Sequence, residues 1–311
     1  FADEPVDVAV IEVGLGGITD ATNVGDGAVS VVTPISLDHT ELLGDDVADI
    51  ALEKAGIIKK NGFLVSAAQP VEAAQVLLEK ANEAGVPFRF EGIEFGVASR
   101  TMAVGGQMVT VDGLAGRYED LLVPLHGEHQ AQNAAVAVAA LEAFIGGGNK
   151  ELDVELLRTG FQTVTSPGRL EVVRTAPTII VDAAHNPAGA KASAQAVLES
   201  FNLSSLVLVV GILAEKDAVG ILAELREVLG DIVTGICLTQ SSSPRAIPAD
   251  ELVQDAVDAG FADEDIQVEQ GLDNAIEWAV AKAEENNDLA GGVLVIGSIT
   301  VVAEARTLLG K

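Results

Sequence analysis

The residues able to do chemistry come in short polar clusters, each trailing an apolar run. The stretch 182-DAAHNPAGA-190 follows 177-PTIIV-181 and sets Asp182, His185 and Asn186 where a strand-like segment ends. Asn186 before Pro187 reads as an N-cap followed by the first helical residue. A carboxylate, an imidazole and an amide at a strand-to-helix junction occupy the edge at which open α/β sheets bind ligands. Upstream, 11-IEVGLGGITDATN-23 carries Glu12 and a Gly-rich turn, and 36-SLDHTELLG-44 carries Asp38, His39 and Glu41. Glu12 and His39 end two successive strand-like runs, so one sheet edge would hold both. Mixed oxygen and nitrogen donors there suit Mg²⁺ or Mn²⁺ at a nucleotide. The GLGG turn has neither the GxGxxG spacing of a dinucleotide site nor the GxxxxGK[ST] of a P-loop.

Lys54, in 53-EKAG-56, reads on composition alone as half of a surface Glu–Lys pair. Arg169 stands on the Pro-Gly turn of 166-SPGRLEVV-173, either a surface arginine or one placed to fork onto a phosphate. In 211-GILAEKD-217, Lys216 and Asp217 follow another strand, and in 242-SSPRA-246 Ser243 and Arg245 follow a third, with Arg245 able to take a carboxylate. Three charged loops after parallel strands should converge on one crevice. His185 has no second histidine three or four residues away, which argues against zinc. Cys237 lies inside an apolar run with no activating base nearby and is assigned to the core.

The elements that must position these groups alternate. Strand-like runs are expected at 6–13, 28–35 and 63–68, with helices near 46–58 and 70–84: an α/β pattern with a parallel sheet. From 86 to 125 short alternating segments with Gly-Gly and Asp-Gly turns suggest antiparallel hairpins. The Ala-rich 129–144 and the stretch 151–162 read as helices. A second series then sets strands at 178–184, 206–212, 232–239, 266–270 and 293–298 among helices at 187–201, 216–229, 249–259 and 272–286, a doubly wound pattern. The boundary falls near 163–167, giving domains of 1–164 and 165–311.

Composition narrows the function. The chain has 311 residues, 49% of them apolar, enough for real cores. A net charge of −29 opposes nucleic acid and anionic membranes as partners. An anionic substrate would need a local arginine, lysine, helix N-terminus or metal. No apolar run approaches the ~20 residues that span a bilayer. The single cysteine fits a reducing cytoplasm.

Taken in order, EVGLGG…DATN, TPISLDHTELLG, EKAGI, HGEHQAQNAAVAVAAL, SPGRLE, DAAHNP, GILAEKD, SSPRA and a late GS resemble folylpolyglutamate synthase / dihydrofolate synthase, a branch of the Mur ligase family of ATP-dependent amide-forming ligases. The resemblance covers essentially the whole chain. It implies a partial Mur-ligase central domain, with a parallel sheet and a small antiparallel one, followed by a Rossmann-like doubly wound C-terminal domain. It implies ATP and two Mg²⁺ sites, with Glu12 and His39 as metal ligands and Lys54 as a carbamylated lysine at the second metal, which reverses the bland reading of that residue. Gln132 and Asn133 would contact the nucleotide, Arg169 its phosphates, and Asp182 and His185 would hold it from the C-terminal domain. Lys216, Asp217, Ser243 and Arg245 would lie near the incoming glutamate. The expected partners are ATP, L-glutamate and a pterin or folate acceptor, with the chain a cytoplasmic monomer. No Gly-Lys-Ser/Thr P-loop occurs, so the N-terminal P-loop segment of the central domain is expected to be lacking, and Ile18 stands where the family usually carries a basic residue. Rival readings are a UDP-linked muramyl peptide ligase and a non-catalytic nucleotide-binding fragment; a nicotinamide enzyme is disfavoured because no GxGxxG follows a strand.

Overall fold

The computed structural model describes residues 5–285 and 290–311. The chain divides into two compact units, one of Phe1–Ser99, Thr110–Asp120 and Gln132–Leu157, the other of Arg100–Val109, Leu121–Ala131 and Arg158–Lys311.

In the first unit, β1 (Val29–Val32) leads through the short helix α1 (Thr40–Leu43) and α2 (Val47–Lys54) to β2 (Phe63–Ser66), and α3 (Val71–Ala84) leads to β3 (Phe88–Phe90). The strands form a parallel sheet ordered β1-β2-β3. β2 is central and buried throughout, as a largely apolar strand covered on both faces should be. Ile50 and Ala51 of α2 and Ala73, Leu77 and Ala81 of α3 close one core with Val32, Leu64 and Phe90. β3 was expected among the antiparallel hairpins; it instead extends this parallel sheet, because α3 supplies the crossover a parallel neighbour requires.

The strand expected at 6–13 does not form. Residues 5–13 take part in no ladder among the described residues, and Val6, Val8, Val10 and Ile11 are exposed. The alternating sequence suits a strand, but a strand is stable only when a neighbour accepts its backbone hydrogen bonds.

Strands β4 (Gly96–Ala103), β5 (Gly106–Asp112) and β6 (Arg117–Val123) make a separate three-stranded sheet in that order. Their tight connections leave only antiparallel pairing. Helices α4 (Glu128–Gly146) and α5 (Val154–Gln162) follow. The division between the units falls within β4, β5, β6, α4 and α5.

The second unit holds β7 (Glu171–Thr175), β8 (Thr178–Asp182), α6 (Pro187–Ser200), β9 (Ser205–Val210), α7 (Ala218–Leu229), β10 (Val233–Leu238), α8 (Leu252–Asp258), β11 (Ile266–Val268), α9 (Leu272–Glu284), β12 (Gly291–Ile296) and α10 (Ile299–Leu308). The six-stranded sheet is ordered β11-β10-β9-β12-β8-β7. All of its neighbours pair in parallel except β7, which runs antiparallel to β8. From β8 the chain steps outward through β9, β10 and β11, then returns to place β12 between β9 and β8. Right-handed crossovers put the outward helices α6, α7 and α8 on one face and the returning α9, with α10, on the other. Two cores match these faces: Ala190, Leu222, Leu225 and Leu252 under the first, Ala275, Ala279, Val301 and Ala305 under the second. Cys237 is fully buried in the second core, as expected, and burial pushes its thiol up to about 12. The predicted α9 runs to 286, and its last residue lies outside the described residues. No helix among the described residues is long and apolar enough to cross a membrane.

Candidate functional site

In the first unit the structure ties two of the clusters together. The GLGG turn packs on the C-terminal end of α2. The Ile18 N–H donates to the Glu53 carbonyl at 3.1 Å, and the Thr19 N–H and hydroxyl donate to the Glu53 carboxylate at 3.2 and 3.1 Å. A Cβ on Gly17 would lie 2.5 Å from the Glu53 carbonyl oxygen and 3.0 Å from that of Lys54, so only glycine lets the turn approach. Asp20 closes the loop. Its carboxylate accepts from the N–H groups of Gly14 and Leu15 and from the N–H and hydroxyl of Thr22. The Thr22 hydroxyl, with those backbone donors, holds the Asp20 pKa down to about 2. Lys54 is thus the half-buried last residue of α2, its backbone against the turn that Glu12 precedes.

His39 follows β1 as expected and caps α1 from a left-handed backbone conformation, φ 52°. Its N–H donates to the Asp38 carboxylate at 2.9 Å, and its Nε2 lies 3.9 Å from the same group. The loop after β2 lies at the same sheet edge, since the Gln69 side chain bonds the Thr33 carbonyl and the Ile35 N–H.

The residues expected to hold magnesium stand on three segments: Glu12 before the GLGG turn, His39 on the loop after β1 and Lys54 at the end of α2. Glu12 is exposed on the unpaired segment 5–13. Among the described residues no group of three or more His, Cys, Asp or Glu side chains is placed to hold a metal. Without a ladder Glu12 has no strand end to project from.

In the second unit the arginine turn is built with care. Both Asp182 carboxylate oxygens are engaged, accepting the Leu170 N–H at 2.9 Å and the Ala184 N–H at 2.9 Å. The Ala183 N–H donates to the Gly168 carbonyl, and the Gly168 N–H to Glu171, which Arg306 holds at 2.7 Å. Leu170 sits at φ 46°, a conformation side chains resist, so these bonds hold it there. Between buried Gly168 and buried Leu170 the Arg169 side chain is exposed. Burial pushes the Asp182 carboxyl above its ordinary range, opposed by its backbone donors and by the nearby Arg169 charge.

Asn186 caps α6 through the Gly189 N–H at 2.7 Å, with Pro187 at the first turn, as the sequence suggests. The His185 Nδ1 lies 3.0 Å from the Ala183 carbonyl; a carbonyl only accepts, so Nδ1 carries the proton. Asp217 caps α7 through the Gly220 N–H. The loops after β9 and β10 converge as expected. The Ala214 N–H donates to the Arg245 carbonyl, the Ile247 N–H to that of Ile212, and Arg245 pairs with Glu215 at 2.7 Å. Ser243 braces this loop by accepting the Arg245 N–H, and Lys216 is half-buried in its partner.

Asn133 and Gln132 lie on α4 as expected, Asn133 exposed. Sequence reading passed over His129, one turn before Asn133, and over Arg100 and Gln107 on β4 and β5. The spacing of His129 from Asn133 in HGEHQAQN was an available signal. Arg100 and Gln107 stand in strands with no motif around them, and only the fold brings them in.

Residues 1–141 match the Mur ligase middle domain and residues 168–299 the Mur ligase glutamate ligase domain. The dihydrofolate synthase/folylpolyglutamate synthase of Mycobacterium tuberculosis is 44% identical over all of this chain, which spans 66% of that protein's length. The folylpolyglutamate synthase of Lacticaseibacillus casei is 33% identical, and the chain covers 69% of it. The crystal structure of Mycobacterium tuberculosis folylpolyglutamate synthase complexed with ADP and AMPPCP superimposes with a TM-score of 0.94 at 44% identity, over 100% of this chain and 70% of that one.

Proposed function

Because the chain belongs to the folylpolyglutamate synthase/dihydrofolate synthase branch of the Mur ligase family, we propose that it serves ATP-dependent attachment of L-glutamate to a folate-type carboxylate, dihydropteroate or a tetrahydrofolate polyglutamate, in the cytoplasm. The sequence boundary near 163–167 would give ligase domains of 1–164 and 165–311, whereas the compact units assign 100–109, 121–131 and 158–164 to the second. In the first half-reaction a substrate carboxylate oxygen bonds to the γ-phosphorus of ATP while the bond to the β-bridging oxygen breaks and ADP leaves. In the second, the glutamate amine attacks the acyl carbon, phosphate departs, and the amine loses a proton to give the amide. No covalent enzyme intermediate is needed, so the reaction requires no nucleophile–base pair.

The observation that carries this reading is the Arg169 turn. An exposed guanidinium is held on a backbone conformation fixed by a buried carboxylate, which is how a charge is aimed rather than merely displayed. Arg169 would take the negative charge that gathers on the transferring phosphoryl group. Asp182 would act through the turn, and His185 and Asn133 would contact the nucleotide. The joined loops of Lys216, Asp217, Ser243 and Arg245 would receive glutamate; the Arg245–Glu215 pair is exposed, so a substrate carboxylate can exchange with Glu215 at little cost. The Mur ligase neighbour bound to ADP and AMPPCP supports ATP as the cofactor.

The test is phosphate release with ATP and L-glutamate against dihydropteroate, tetrahydrofolate and a UDP-linked muramyl acceptor. Release with a pterin acceptor, abolished by Arg169→Met, supports the reading. Release only with the muramyl acceptor moves the chain to the peptidoglycan branch, and nucleotide binding without release leaves a non-catalytic binding domain.

A further inference from the structure

Arg100 and His129, in the same unit as Arg169, have no part in the reading above. Arg100 on β4 donates to Glu199 of α6 at 2.6 Å and to the Gln107 side chain at 3.2 Å. Gln107 is fully buried, and its amide donates to the Leu125 and Gly127 carbonyls, both at 2.9 Å. This run of bonds fixes the residue on which the His129 ring rests. A Cβ on Gly127 would lie 2.6 Å from the ring Cε1 and 2.7 Å from the Ala196 Cβ of α6, so the imidazole is packed against bare backbone beside α6. The charges that act on it are those of Arg169 from the turn before β7, Arg100 from β4 and Glu199 from α6. Two guanidiniums against one carboxylate leave a local positive surplus, in a chain with 47 acidic and 18 basic residues. Burial first, then the two arginines, hold the ring below its ordinary pKa, with Glu199 opposing them.

We propose that His129 is a proton-linked member of the phosphate-binding site, taking up a proton from solvent when a polyphosphate seats on Arg169 and returning it on release. This rests on the reading of Arg169 as the phosphate-binding group. The chemistry is that of field reversal: a polyphosphate carries more negative charge than Glu199 alone, so the field at the ring changes from one that repels a proton to one that attracts it. The imidazole is placed for this because it packs against Gly127 beside α6. Linkage fixes the sign. Affinity for the polyphosphate is highest below the midpoint of the free ring and falls as pH rises towards the midpoint of the bound one, about tenfold for each unit between them.

The chain has four histidines, which makes the titration readable by NMR of the ring protons, with His129→Asn assigning the signal. Titrations are run on the free chain and with ATP, inorganic tripolyphosphate or adenosine. The expected result is a His129 midpoint that rises by about one unit or more, a tenfold gain in proton affinity, with ATP and with tripolyphosphate and does not move with adenosine. A rise with ATP alone would make the site specific for the nucleotide and still support the proposal. Saturable shifts of other signals by ATP while the His129 midpoint stays in place would overturn the proposal and leave the nucleotide reading standing. No saturable binding of ATP or tripolyphosphate would overturn the phosphate reading of Arg169, and the proposal with it.

Discussion

Asp182→Asn tests whether the buried carboxylate holds the arginine turn. In the native chain each oxygen accepts one backbone N–H, from Leu170 and from Ala184. Asparagine keeps one acceptor and turns an amide N–H₂ against the other donor. The loss is one charge-assisted hydrogen bond, about 1.5–3 kcal/mol, plus a stranded buried N–H at about 1–3 kcal/mol. Relief of the cost of burying a charge offsets part of this, leaving a net destabilisation of about 2 kcal/mol. The single tryptophan, Trp278 on α9, packs against the second core and reports on the unit that contains Asp182. Urea denaturation followed by its fluorescence should show a midpoint lower by about 1 M, taking m at about 2 kcal/mol/M. The pH dependence sharpens the test. The folded-state pKa of Asp182 is raised, so its contribution is fully present below the unfolded value of 3.8 and is lost as pH rises through the folded one. The gap between wild type and variant should be widest in acid and should narrow with rising pH. Equal midpoints, or a gap that widens with pH, would refute the reasoning.

Gly17→Ala should detach the GLGG turn from α2, because the new methyl meets backbone that cannot swing aside; limited proteolysis should then cut within 14–24, where the wild type resists. Glu142 on α4 is fully buried and accepts the Leu114, Ala115 and Gly116 N–H groups and the Tyr118 hydroxyl. Glu142→Gln should cost about 3 kcal/mol by the charged-bond scale, read as faster hydrogen exchange at those three amides. Cys237, with its thiol pushed up to about 12 and no exposure, should resist a thiol reagent at pH 8 in the folded chain and react at once in denaturant.

The second unit was largely legible in the sequence, because its strands are runs of buried β-branched residues and its helices carry their own punctuation. Asn186-Pro187 announced the start of α6, and that cap forms; Asp217, inside the helix expected at 216–229, is instead the N-cap of α7. β7 was missed: 171-EVVRT-175 is short and half-buried, and an antiparallel edge strand lacks the apolar run of its neighbours. The segment 6–13 failed for the opposite reason. Its pattern is strand-like, but pattern describes a side-chain preference and a ladder is a relation between two segments. The site divides the same way. Clusters that follow strands were found by position, whereas Arg100 and Gln107 matter through bonds to groups distant in sequence.

The charge of the chain bears on how it could hold a polyanion. Several basic side chains are already committed: Lys191 to Glu224, Arg306 to Glu171, Arg245 to Glu215, Arg117 to Asp112 and Glu119. With 47 acidic residues against 18 basic ones, long-range attraction does not bring a phosphate in. Beyond ~8 Å at physiological salt the acidic surface is screened, and only the nearest groups count. At that range the relevant charges are Arg169 and Arg100 with Glu199. A chain this acidic can bind an anion only by such local arrangements, which is why Arg169 is fixed by its neighbours instead of being one of many.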